Sequence, residues 1–314
     1  MRLNRLLVAM SAAGLMAMVG PAQASITFQF NPMGLGLGLG LINGAGLLDQ
    51  APGNTYALNG SGSGAVLIVG TTIHDLYQAN LGSVQALDTS NLFGNGAGGN
   101  FFTFVAAFSE TVVGANTTPT LDGFKLTNDF TLNSGGTFKM CKKSAIGNNL
   151  TGVGFGCADP ILTGSINGGD SSQTATFHFV GGVPVFGNLD QAGGNDWPGV
   201  TTVASVGSAD ILATISFVNA NYFPDLKIGY KVGINSSLVT PYKQVDPSQR
   251  VSSGLVTDDT VTNVGTVNGF TGSNFLFQSD ANNSFDAPEP GALALGGIAL
   301  AGLALLRSRR KQSV

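Results

Sequence analysis

Apolar residues recur along this chain at every second position. Phe124, Leu126, Phe130 and Leu132 alternate with Lys125, Thr127, Asp129 and Thr131. Phe102, Phe104, Ala106 and Phe108 repeat the pattern. So do Phe177 and Phe179, the set Ile211, Ala213, Ile215 and Phe217, and finally Phe275 and Phe277. A period of two sets one face of an extended segment against a core and the other in water. Gly, Asn and Asp clusters at 94–100, 133–136, 167–170 and 187–196 punctuate these runs with turn chemistry. Many strands, turn-rich connections and no long amphipathic helix predict an all-β body, an antiparallel β-sandwich or jelly-roll-like fold. Ile73, Leu76, Tyr77, Leu81 and Val84 partly fit helical spacing. Gly70 and Gly82 bracket that stretch in an all-β context, so a strand is expected there. Gly34, Gly36, Gly38 and Gly40 alternate with Leu35, Leu37, Leu39 and Leu41. As a strand this run would present bare backbone on one face for close approach; as a glycine-rich arm it would be mobile.

The two ends have a different grammar. Arg2 and Arg5 precede an apolar run over 6–19, and Ala22-Gln23-Ala24 fits the small-x-small rule. Residues 1–24 are therefore expected to be a signal peptide cleaved before Ser25. At the other end, Pro288-Glu289-Pro290 leads into sixteen uncharged residues, 291–306, closed by Arg307, Arg309, Arg310 and Lys311. Sixteen helical residues span about 24 Å, short of the ~30 Å hydrocarbon core, and the cations favour the cytoplasmic side. The expected organisation is a signal peptide (1–24), an exported ectodomain (25–287) and a sorting tail with one transmembrane helix (288–314).

Tripeptide, apolar span and basic cluster together resemble the PEP-CTERM sorting tail of Gram-negative, exopolysaccharide-producing bacteria. The resemblance implies processing by an exosortase-type membrane protease. It also implies passage across the inner membrane, transient anchoring there, and delivery to the cell surface or extracellular matrix.

Composition narrows the partners. Taking the six end cations from the chain's 14 leaves eight, and taking Glu289 from its 18 acids leaves 17, so residues 25–287 carry about −9. Charged residues make up 10% of the chain, against roughly a quarter in ordinary soluble domains. Such a surface excludes nucleic acid, which needs a basic footprint, and suits neutral glycans. Cys141 and Cys157 are the two cysteines, and in an exported chain they read as a disulfide.

Catalytic chemistry is hard to assemble, and no catalytic residue is assigned. His74 beside Asp75 lacks a Gly-x-Ser-x-Gly nucleophile elbow. His178 falls on the wet face of its strand. Glu110 is the only glutamate of 25–287, and nothing in the sequence pairs it with an aspartate for glycosidase work. Residues 94–99 match the dinucleotide fingerprint letter for letter but run into a Phe-rich strand rather than a helix. No cofactor is assigned; hard oxygens at Asp258-Asp259 and at Asn188, Asp190, Asn195 and Asp196 would suit calcium.

A second likeness covers the body. Residues 26–32 with 51–54, Leu76-Tyr77-Gln78-Ala79-Asn80-Leu81-Gly82, Cys141-Lys142 with 147–155, 219–226 and 241–248 are similar to the flocculation-associated PEP-CTERM proteins. That family has no established catalytic residues. The resemblance implies a surface protein that keeps cells and exopolysaccharide together. Trp197, Tyr222 and Tyr242 could stack on sugars, with core packing the favoured reading for them. A secreted matrix-polysaccharide hydrolase and a self-assembling matrix protein are the alternatives.

Overall fold

A computed structural model describes residues 25–35, 40–58, 67–252, 258–260, 268 and 274–287. The chain divides into a body, Ile26–Phe285, and a second unit, Met1–Ser25 with Asp286–Val314. Within the second unit, exposed Ser25 forms an antiparallel bridge with Asp286. Ala22 and Ala24, the Pro288-Glu289-Pro290 motif, the apolar span and Arg307, Arg309, Arg310 and Lys311 lie outside the described residues. No helix among the described residues is long and apolar enough to cross a membrane.

Eight long strands form a closed ring in the body, with shorter strands around it among the described residues. β1 runs through Leu47–Gln50 and on through Gly53–Leu58. β2 is Thr72–Gln85 and β3 is Phe101–Thr120. β4 runs through Gly123–Leu132 and Thr137–Lys143. β5 is Pro160–Val180, β6 Ala204–Val218, β7 Lys231–Thr240 and β8 Phe275–Asp286.

Pairing follows chain order. Tyr56 lies opposite Leu76, Asp75 opposite Phe108, and Thr117 opposite Leu126. Thr127 then lies opposite Thr174, Asp170 opposite Asp210, and Ile211 opposite Ile234. β7 neighbours β8, and β8 returns to β1 with Leu276 opposite Tyr56 and Asn283 opposite Leu48. The sheet thus closes on itself as an eight-stranded up-and-down barrel.

This corrects the expected sandwich or jelly roll. A jelly roll needs Greek-key connections that carry the chain past a neighbouring strand, whereas here each barrel strand pairs with its chain neighbours. Both architectures bury one face of each strand, so the alternation of apolar residues does not distinguish them. Closure depends on bends. In β5 the register shifts between Ile166 and Gly168, and Gly169 sits at φ 143°. A methyl on Gly169 would stand 2.1 Å from the Asp210 carbonyl oxygen, so the bare backbone lets β6 approach at the bend.

The apolar alternation fills the interior as expected except at Phe217, which is exposed where the register shifts between Thr163 and Gly164. Phe102, Phe104, Ala106, Leu126, Phe130, Leu132, Ile211, Ala213 and Ile215 are all buried, and 72–85 is a strand. One side of the core is an aromatic cluster. Phe28 meets Phe285 at 4.9 Å between ring centres, and Phe30 meets both Phe102 and Phe223 at 5.3 Å. These rings come from the 26–32 and 219–226 stretches, joined by the Asn31 N–H donating to the Tyr222 carbonyl at 2.8 Å. Gly34 and Leu35 lie outside any strand, and 36–39 fall outside the described residues. Gly34 does permit a close approach: a methyl there would stand 2.3 Å from the Tyr222 ring.

Candidate functional site

On β2, Asp75 shares the inward face with Ile73, Tyr77 and Ala79; on β3, Glu110 shares it with Phe104, Ala106 and Val112. Inward phase on adjacent strands brings the only glutamate of the body beside an aspartate, a pairing the sequence did not reveal. Both carboxyls line one cavity of about 50 Å³ inside the barrel, walled by Phe104, Phe138, Ile211 and Phe277. An adjoining cavity of about 70 Å³ shares Glu110 and Ser171 and adds Asn128 and Gln173.

The electrostatics follow from burial. The Ser171 hydroxyl donates to Glu110 Oε2 at 2.6 Å, yet desolvation prevails and pushes the Glu110 carboxyl from 4.5 up to about 7. Burial, and then the charge of Glu110, hold Asp75 well above the ordinary carboxylate range. Two buried acids with no base among the described residues of their lining titrate together, and burial holds both toward the protonated form. Tyr77 donates its hydroxyl to Gln50 Oε1 at 2.8 Å, and Gln50 Nε2 donates to Asn283 Oδ1 at 2.5 Å. Asp75 Oδ2, Asn128 Oδ1 and Asn283 Nδ2 are buried and have no protein partner.

His74 points outward while Asp75 points inward, since consecutive strand residues face opposite sides. They cannot form a dyad. His178 is exposed as expected, with Nδ1 2.9 Å from Asp122. The two enclosed cavities fall well below the ~300 Å³ at which small-molecule sites begin. Neither has room for a polysaccharide segment.

Several pieces of the body's motif pattern meet on the outer face of β1 and β2. Asn80 Nδ2 donates to the Gly147 carbonyl at 2.9 Å, and Gly147 N–H returns to Asn80 Oδ1 at 2.8 Å. Gln78 Nε2 donates to the Arg250 carbonyl at 2.8 Å, and Ser252 N–H donates to Gln78 Oε1 at 2.8 Å. Ser248 N–H donates to Asn54 Oδ1 at 2.9 Å. Cys141 and Cys157 form the expected disulfide, Cα to Cα 5.7 Å, at the base of the 142–156 excursion. These residues clamp two loops over the barrel wall, so much of the pattern is explained by folding.

Of the residues expected to suit calcium, Asp190 and Asp196 come together and are joined by Asp246. Carboxylate oxygens of Asp190, Asp196 and Asp246 lie within 4.8 Å of one another, while Asp258 and Asp259 belong to a short strand paired with Arg250–Ser252. Burial first, then Asp190 and Asp196, raise the Asp246 carboxyl. Both oxygens of Asp190 already accept backbone N–H groups, from Ala192 at 3.1 Å and Asp196 at 2.8 Å. Calcium takes six to eight oxygens, and three carboxylates with one already saturated make a poor cage.

The proposed stacking aromatics separate. Tyr242 is a core residue, the favoured reading, and cannot be a sugar platform: it packs in a cluster with Tyr56, Leu189, Val251 and Leu276. Trp197 is half-buried, its Nε1 donating to the Pro247 carbonyl at 2.8 Å. Tyr222 is half-buried under the Lys142 ammonium, 5.7 Å from the ring centre.

Comparison with known proteins adds one result. No curated protein and no solved structure matches the chain. Residues 286–311 match the family model of the PEP-CTERM protein-sorting motif, spanning Pro288, Glu289, Pro290 and the basic cluster. That motif signals export, transient membrane anchoring and exosortase processing; by its C-terminal segment, this chain is a PEP-CTERM protein.

Proposed function

We propose that the barrel is a non-enzymatic surface protein that promotes flocculation or biofilm formation by associating with exopolysaccharide. In this reading the signal peptide is removed before Ser25, and an exosortase-type protease cuts near Pro288-Glu289-Pro290. The body then passes to the cell surface or matrix. The observation that carries the reading is the sorting motif at 286–311 joined to a barrel whose wall is polar but sparsely charged. Outward side chains form a hydroxyl and amide ladder. Thr127 and Thr174 share a hydrogen bond at 2.9 Å, and Asn167 Nδ2 donates to Thr214 Oγ1 at 2.6 Å. Neutral donors and acceptors of this kind, repeated over a large face, suit many weak contacts to sugars, which gain strength by multivalency.

Asp75 and Glu110 are enclosed in the lumen, which weighs against a hydrolase built on that pair. Asp129, Asp170 and Asp210 line an open surface pocket of about 340 Å³, where pull-down and hydrolysis assays on the exopolysaccharide separate binding from cleavage. Barrel closure consumes the strand edges that edge-to-edge self-assembly would use. The test is deletion of 288–314 in the producing bacterium. Aggregation is expected to fail while folded protein still accumulates; unchanged aggregation would remove the tail from the mechanism. A pull-down of native exopolysaccharide by the purified protein separates glycan association from a purely structural role.

A further inference from the structure

We propose that the barrel lumen is a binding site for a small primary ammonium ion, its head between Asp75 and Glu110 and its alkyl stem among Phe104, Phe138 and Phe277.

Charge gives the first argument. Two carboxyls face one enclosed space, and among the described residues no Lys, Arg or His lines either cavity. Isolated buried anions are costly unless a cation or a proton compensates them. A proton answers the charge but leaves the space empty and acceptors unfilled. Asp75 Oδ2 and Asn128 Oδ1 are buried without a partner, and Glu110 borders both cavities between them. A primary ammonium in the first cavity can donate to Asp75 Oδ2 and to Glu110, both of which line it.

Size and wall chemistry give the second. At about 30 Å³ for each water, spaces of about 50 and 70 Å³ admit a molecule of only a few heavy atoms. Phenyl rings and the aliphatic side chains of Ile211, Ile234 and Leu238 dominate the first cavity. They favour an alkyl stem and a cation near an aromatic face. A divalent metal would want six or more oxygens, which these walls do not provide. The raised carboxyl of Glu110 adds a signature: protons compete for the site, so binding strengthens as pH rises through about 7.

The test is independent of export and glycan binding, because it is read in purified protein. The chain is refolded from urea with n-propylammonium chloride, n-propanol or tetramethylammonium chloride at matched ionic strength, so that a closed barrel does not hide the site. A saturable rise in Tm with propylammonium alone is expected, larger at pH 8 than at pH 5. Methyl NMR shifts should be confined to Ile211, Ile234 and Leu238, and both effects should vanish in the D75N/E110Q double variant. Glu110→Gln alone, which keeps an acceptor for Ser171, should weaken binding while leaving the fold intact. No response, an equal response to tetramethylammonium or propanol, or a response that survives in the double variant would overturn the proposal.

Discussion

Replacing Glu110 by Gln should make the barrel more stable at neutral pH and flatten its dependence on pH. The folded carboxyl titrates at about 7 instead of 4.5 because burial penalises its charge. Between those values the folded chain keeps a proton that the unfolded chain has released. Folding stability therefore falls as pH rises through that window and is fully lowered above about 7. The gap, from 4.5 to about 7, is about 2.5 pH units. At about 1.4 kcal/mol per unit it corresponds to about 3 kcal/mol, an upper figure because the neighbouring Asp75 titrates together with it. Glutamine cannot ionise, and its side-chain carbonyl still accepts the Ser171 hydroxyl, so this variant isolates the charge. Urea unfolding at pH 4, 5, 6, 7 and 8 measures it. The two proteins should be nearly equal at pH 4 and diverge toward pH 8, the variant being the more stable. Parallel curves, or a wild-type protein that gains stability relative to the variant as pH rises, would refute the reasoning.

Other expectations follow from the same geometry. Gly169→Ala places a methyl against the Asp210 carbonyl at a positive φ; it should cost about 1–3 kcal/mol in urea unfolding. Reducing the Cys141–Cys157 bond, which spans 16 residues, should lower stability by about 3 kcal/mol and expose the 142–156 excursion to proteolysis. Gln78→Ala removes the side-chain acceptor of the Ser252 N–H and one of two donors to the Arg250 carbonyl, which keeps the Ser248 hydroxyl. It should cost about 1–3 kcal/mol and release the 247–252 segment, seen as faster limited proteolysis there.

The alternation of Phe102, Phe104, Ala106 and Phe108, like that of Phe124 through Leu132, was sufficient to place these residues in strands and on the buried face. Period two is a local property of extended backbone, so it needs no knowledge of the partner strand. The Cys141–Cys157 pair was equally legible, because two cysteines in an exported chain leave one pairing. The sorting segment at 286–311 is likewise a local code of tripeptide, apolar span and cations.

What the sequence could not supply was which faces meet. Asp75 is in phase with Ile73 and Tyr77, and Glu110 with Phe104 and Phe108. Asn128 is in phase with Leu126 and Phe130, so each reads as a polar residue on an apolar face. That phase error was the available sign of a lumen site. Register between β2 and β3 brought two of these exceptions, Asp75 and Glu110, into one cavity, while Asn128 lines the adjoining one. Closure itself depended on bends such as that at Gly168 and Gly169, whose effect is exerted on a strand more than 30 residues away. Asp190 and Asp196 were visible as one loop, but Asp246 joins them only because Asp190 bridges to Tyr242 across the fold. Local periodicity decided the strands and the ends of this protein. Long-range hydrogen-bond register, invisible in a linear pattern, decided that the strands form a barrel and that its interior holds two acids.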